Sequence, residues 1–152
     1  MFTADESVIE PILEDLRRET DVFRTVLRLE SPHETFPVLA EALGPGAETT
    51  RGPLPYDLLQ VDTVKFLVDT RQILVQNDCY GEPKPPPSLM EEEGVGAQIL
   101  APLQREGRII GILAAHHAGE SRNWTVQDVV YIVRAMERIY EQLVAEAVVS
   151  ST

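Results

Sequence analysis

Two apolar runs in the C-terminal half of the chain, Ala97 to Leu103 and Arg108 to Ala115, are separated by Gln104-Arg105-Glu106-Gly107. A short polar break ending in glycine, between two runs of strand length, predicts a β-hairpin. The second run ends in the pair His116-His117, and Gly119-Glu-Ser-Arg-Asn-Trp124 follows. Thr125-Val-Gln-Asp128 then has the form of a capping box. The helix it opens carries apolar residues at Val126, Val129, Val130, Val133, Met136, Ile139, Tyr140, Leu143 and Val144, a continuous stripe at helical spacing.

Upstream, Ser7-Val-Ile-Glu10 fits a second capping box, and Val8, Ile9, Ile12, Leu13 and Leu16 recur with a helical period. Pro11 is compatible with that helix in its first turn, and the helix is expected to end near Glu19-Thr20. Asp21 to Glu30 alternates as a strand does, with Phe23, Thr25, Leu27 and Leu29 on one face and Arg24, Val26 and Arg28 on the other. Thr35 to Ala42 is a second candidate strand, stopped by Gly44-Pro-Gly46; Pro37 within it predicts an edge position. Tyr56 to Asp69 has a helical pattern and Arg71 to Gln76 a short strand pattern. Asn77 to Glu93 is the least regular segment, centred on Gly81-Glu-Pro-Lys-Pro-Pro-Pro87, with room for a short helix from Ser88 to Glu92.

The order is helix, two strands, helix, strand, irregular segment, hairpin, helix. Hairpin-linked strands with helices at both ends predict an α+β domain built on a central antiparallel sheet, with the N- and C-terminal helices packed on one face. No repeat or boundary divides the chain, so one domain over 1–152 is expected. The last stripe is wide enough to serve two partners, which also admits a homodimer through the terminal helices.

Composition narrows the function classes. The 152 residues carry 25 acidic against 13 basic side chains, a net charge of −12, and the arginines are scattered. Such a chain repels phosphate backbones and anionic lipid, so neither nucleic acid nor membrane is an expected partner. No apolar run reaches the roughly 20 residues of a bilayer span. The N-terminus lacks the basic and apolar regions of a signal peptide, and a cytoplasmic location is expected. With Cys79 the lone cysteine, no intrachain disulfide or thiolate metal cluster is available.

At the hairpin and its exit the chain resembles a GAF domain. The residues that carry the resemblance are Gly94-Val95 ahead of a strand, the glycine-containing turn, Gly111-Ile-Leu-Ala-Ala-His116, and Trp124 four residues before Asp128. The chromophore-binding GAF domains of phytochromes look especially similar, since they too carry a Gly-Val-Gly segment and a histidine pair. The resemblance places His116 on the histidine that contacts the bilin and Gln98 on a pocket-lining position. It implies a GAF-like sheet with a ligand pocket. The chain also departs from the bilin-binding pattern: Pro85 to Glu93 holds neither cysteine nor histidine, and the Pro-Arg-x-Ser-Asp-Ile-Pro motif is absent. A covalent bilin is therefore not expected, and the cofactor is left unidentified. Free methionine sulfoxide reductases are similar single-domain GAF enzymes, but their chemistry needs a second cysteine that this chain lacks.

Strand parity sorts the candidate residues. Ile110, Ile112, Ala114 and His116 are expected on one face, opposite Gln98 and Leu100 on the partner strand. His116 and Gln98 would donate hydrogen bonds to a ligand; alternatively, His116 satisfies loop carbonyls at the strand end. Arg24 and Arg28, on the same face, would select an anionic ligand, or else form ion pairs on a solvated face. Asp78, in the irregular segment, completes the expected ligand-binding set with Leu100, Ile112 and Ala114. Cys79 reads as a buried small residue, with a nucleophile as the alternative. No phosphate-cradling loop, catalytic triad or metal-ligand spacing stands out. The expected function is a non-catalytic domain that binds a small molecule between the sheet and the 77–93 segment. Alternatives are a ligand-free dimerisation scaffold and, less supported, an enzyme using Cys79 or His116.

Overall fold

The computed structural model describes residues 1–146; the last six residues of the domain expected over 1–152 lie outside the described residues. A short strand β1 (Phe2–Thr3) leads into helix α1 (Glu6–Thr20), followed by strands β2 (Arg24–Leu29) and β3 (Val38–Leu43). A 3-10 turn (Leu58–Gln60) precedes helix α2 (Asp62–Thr70), then come strand β4 (Leu74–Gln76) and helix α3 (Pro87–Glu91). The hairpin β5 (Val95–Arg105) and β6 (Arg108–Ala118), helix α4 (Val126–Gln142) and strand β7 (Val144–Ala145) complete the chain. Five strands form one antiparallel sheet in the order β3-β2-β6-β5-β4, while β1 pairs with β7 and ties the two ends together. This is the expected α+β architecture, with β3 at an edge. Pro37 falls just outside the strand, where its carbonyl accepts from the Leu29 N–H.

Helices α1 and α4 cover one face of the sheet. Ile9, Leu13 and Leu16 of α1 and Ile132, Ala135 and Ile139 of α4 pack against Leu27, Ile99, Leu103 and Leu113. The opposite face carries a second apolar layer, in which Val26, Leu100, Ile112 and Ala114 meet Leu58, Val64 and Leu67 from the 3-10 turn and α2.

Several local expectations shift. The N-cap of α1 is Asp5, not Ser7: its carboxylate takes the Ser7 N–H at 2.9 Å and the Ser7 hydroxyl at 2.8 Å. Starting there puts Pro11 inside the helix rather than in its first turn. The carbonyl this frees belongs to Ser7, which is exposed and open to water. In α4 the capping box of Thr125 and Asp128 is present, but the buried line runs through Ile132, Ala135 and Ile139. Val126 and Val133 are exposed, and Leu143 and Val144 lie beyond the helix end. Ile110 also changes sides. Leu103 pairs with Gly111 and Gln104 with Ile109, so Ile110 is an extra residue in a β-bulge and packs in the helix-side layer.

The hairpin closes through a two-residue turn, Glu106-Gly107, with φ of 53° and 74°. Both angles suit a type I′ turn, whose twist matches the flanking strands. At the other end, a Cβ on Gly96 would lie 2.2 Å from the Gly119 carbonyl oxygen and 2.3 Å from that of Glu120. Only glycine permits the exit of β6 to fold back over the start of β5 this closely. Gly96→Ala is therefore expected to destabilise the fold by about 2 kcal/mol or more. Urea unfolding measures this, and an unchanged midpoint would refute the close approach.

Candidate functional site

The face of the sheet turned away from α1 and α4 is organised in rows set by strand register. Arg24 of β2 pairs with His116 of β6, His116 with Gln98 of β5, and Gln98 with Gln76 of β4. The next row is apolar, Val26, Ala114, Leu100 and Leu74. The third holds Arg28, Ile112 and Pro102. The expected alternation of Arg24, Val26 and Arg28 thus brings polar, apolar and cationic side chains onto one surface in that order.

All four members of the polar row are buried, and they are linked. Arg24 is fully buried and spends its guanidinium on three partners. Nε–H donates to His116 Nδ1 at 3.0 Å, Nη1 to the Glu48 carbonyl at 3.0 Å, and Nη2 to the Glu93 carboxylate at 2.9 Å. Gln98 donates to the Gln76 side-chain oxygen at 3.0 Å, and Gln76 donates to the Pro83 carbonyl at 2.7 Å. The row thereby fastens Glu48, Pro83 and Glu93, from three separate connections, to one line across the sheet. A buried polar network of this kind is stable only when its members are satisfied, and among the described residues no enclosed side-chain nitrogen or oxygen lacks a partner.

The bond from Arg24 also sets the histidine's proton. Burial first, then the charges of Arg24 and Arg28, push the His116 pKa well below its ordinary value, so the ring is neutral near pH 7. With Nδ1 accepting from Arg24, the proton sits on Nε2. Among the described residues that nitrogen has no protein partner, and His116 lines a cavity. The site thus offers one fixed donor.

The cavity has a volume of about 110 Å³. Its floor is Val26, Leu100, Ile112 and Ala114, with Arg24, His116 and Gln98 at one end and Arg28 at the other. Leu54, Tyr56, Leu58 and Val64 form one wall, and Pro86, Leu89 and Glu93 of the irregular segment lie over it. Arg28 differs from Arg24 in its environment. Among the described residues it forms no ion pair, and its Nη1 donates to the Phe36 carbonyl at 3.0 Å. Burial lowers its pKa from the usual guanidinium value, yet it stays charged at neutral pH. Burial likewise raises Tyr56, whose phenol remains protonated.

Seven of the eight expected ligand-binding residues, Arg24, Arg28, Gln98, Leu100, Ile112, Ala114 and His116, line this one cavity. Asp78 does not. It is exposed, its carboxylate accepts the Tyr80 N–H at 2.9 Å, and it belongs to a turn outside the cavity. Cys79 is buried beside it, its N–H held by the Gly96 carbonyl at 2.9 Å, and burial together with Asp78 pushes its thiol up to about 12. A thiol so placed supplies little thiolate near pH 7. Gln76, Glu93 and Tyr56 are site residues outside the expected set. Gln76 shares strand parity with Leu74 and was open to detection; Glu93 is one of three consecutive glutamates with nothing to distinguish it.

No cysteine lines the cavity, so the residues present offer no thioether anchor for a linear tetrapyrrole. No group of three or more His, Cys, Asp or Glu side chains among the described residues is arranged to hold a metal ion. No helix among them is long and apolar enough to cross a membrane.

The buried histidine gives the fold a pH signature. Because the folded pKa lies below the ordinary 6.5, the unfolded chain binds a proton that the folded chain refuses. The associated stability is complete above the unfolded pKa and is lost as pH falls toward the folded one, with a slope approaching about 1.4 kcal/mol per pH unit. His116→Gln keeps an acceptor for Arg24 and removes the titration. Urea unfolding at about pH 7 and about pH 5.5 should show the parent chain losing about 1 kcal/mol more than the variant. Equal losses would assign the titration to other groups.

Comparison with known proteins agrees with this architecture. The family model described as GAF domain matches residues 6–145. Among solved structures, the blue-light absorbing form of the PixJ GAF domain of Thermosynechococcus elongatus superposes with a TM-score of 0.68 at 19% identity, covering 88% of this chain and 79% of that one. The photoproduct state of GAF3 from Slr1393 of Synechocystis sp. PCC6803 gives 0.71 at 15% identity, covering 88% and 89%. A domain of a putative two-component sensor histidine kinase protein from Sinorhizobium meliloti 1021 gives 0.65 at 15% identity, covering 92% and 93%. No protein of curated function matches the sequence. At these identities the neighbours establish the fold, and the family match over residues 6–145 establishes the rest: the chain belongs to the GAF domain family.

Proposed function

We propose that this GAF domain is a non-catalytic sensory module that binds a small molecule in the cavity between the sheet and the 77–93 segment. The observation that carries this reading is His116, which lines an apolar-floored cavity, accepts from Arg24 at Nδ1 and has no acceptor for Nε2–H among the described residues. A pocket of this kind, mostly apolar with a few convergent polar groups, is the usual form of a ligand site. Catalysis has little support, since the histidine is held neutral and the one thiol is buried outside the cavity. Fragment screening by amide chemical-shift mapping tests the reading. Bound fragments should shift residues 98, 100, 112, 114 and 116, and Ala114→Phe, which fills the floor, should abolish the effect. Shifts confined to other surfaces, or none, would sink it.

A second reading, association through the terminal helices, is favoured by one observation. Val126 and Val133 of α4 are 82% and 38% exposed, and Val8 of α1 is 41% exposed, although each helix has its own buried line. Sedimentation of the parent chain and of a Val126→Asp, Val133→Asp double variant bears on this. A dimer that becomes monomeric is the expected result, and an unchanged mass would exclude this surface. Ile139, part of the same expected stripe, instead sits in the core.

A further inference from the structure

Charge is distributed unevenly along the cavity. At the inner end, Arg24 is matched by Glu93 at 2.9 Å and His116 is neutral, so that end carries no net charge. At the opposite end Arg28 forms no ion pair among the described residues, and its one side-chain hydrogen bond goes to the neutral Phe36 carbonyl. Four residues along a strand separate the two arginines, about 13 Å between Cα atoms. Between them lies the apolar row of Val26, Ala114 and Leu100. The slot therefore has a neutral donor, an apolar middle and a cation that the Glu93 and Glu41 carboxylates act on without forming an ion pair, in that order.

The cation also sits at the opening. Arg28, Leu54, Tyr56 and Leu58 line both the inner cavity and an adjoining open cleft of about 630 Å³. The partner that Arg28 does have is unusual. Phe36 has a φ of 46°, the left-handed region that a bulky side chain rarely adopts, and strain of this sort concentrates at ligand clamps. A half-buried guanidinium that has lost much of its water and gained one neutral acceptor has favourable energy in reserve for an anion.

We propose that the cavity takes an amphipathic monoanion, a short-chain or aromatic monocarboxylate, with its charged group on Arg28 at the mouth and its apolar body over Val26, Ala114 and Leu100. This rests on the reading of the cavity as a binding site and adds the ligand's class and orientation. The Glu93–Arg24 pair sets the orientation, because a carboxylate entering tail-last would meet the Glu93 carboxylate already seated on Arg24 Nη2. A second anionic group on the ligand is refused for the same reason.

Titration calorimetry with hexanoate and its neutral counterpart hexanamide tests the proposal on the full chain. Hexanoate is expected to bind about tenfold more tightly, the worth of a charge-assisted hydrogen bond in a partly exposed site. Arg28→Met should bring the two compounds to equal affinity, and Arg28→Lys should retain part of the preference for hexanoate. Equal binding by the parent chain would overturn the charge assignment while leaving the cavity a binding site. No binding of either compound would overturn the assignment and weaken the broader reading together. If the preference survives Arg28→Met and grows in Glu93→Gln, the anion sits on Arg24 and the proposed orientation is wrong.

Discussion

A guanidinium with no solvent contact must be surrounded by acceptors, because an unmatched buried charge costs several kcal/mol. Arg24 satisfies this with a ring nitrogen, a carbonyl and a carboxylate drawn from β6, the segment after β3 and the end of the irregular segment. None of these lies near the others in sequence. The consequence is that one side chain holds the lid to the sheet, fixes the tautomer of His116 and neutralises the inner end of the cavity. Its removal would disturb all three at once.

The same register that places Arg24 beside His116 extends to Gln98 and Gln76, so the polar line crosses four strands without interruption. Keeping the line on one face depends on parity along β5 and β6. The bulge at Ile110 lies beyond Ile112, past the end of the cavity, and so turns only the outer end of β6 toward the helices. In the other direction, Val95 pairs with Ala118 and Ala97 with His117, which leaves Gly96 as an extra residue beyond Gln98. Between these two irregularities the strands are regular, and the candidate site occupies that regular interval.

Separate apolar layers on the two faces of the sheet give these features different mechanical settings. The helix-side layer is continuous from α1 through the sheet to α4. The other layer is smaller and is closed by the 3-10 turn, α2 and loop residues, which is where a cavity survives. Packing of long helices leaves few voids, whereas short elements and proline-rich connections cannot fill the space above Val26 and Ala114 as completely.

The sequence by itself determined the α+β class, the hairpin, the two terminal helices and the face shared by Arg24, Arg28, Gln98, Ala114 and His116. These follow from periodicity, caps and strand parity, which are local and need no knowledge of partners. Only the tertiary structure decided which of the arginines is paired, which of three adjacent glutamates reaches Arg24, that Asp78 stays outside the cavity, and that Ile110 faces the helices. It also divided the stripe of α4 into a buried line and an exposed one. Each of these depends on contacts between segments far apart in the chain or on one inserted residue in a strand pair, and neither leaves a periodic trace.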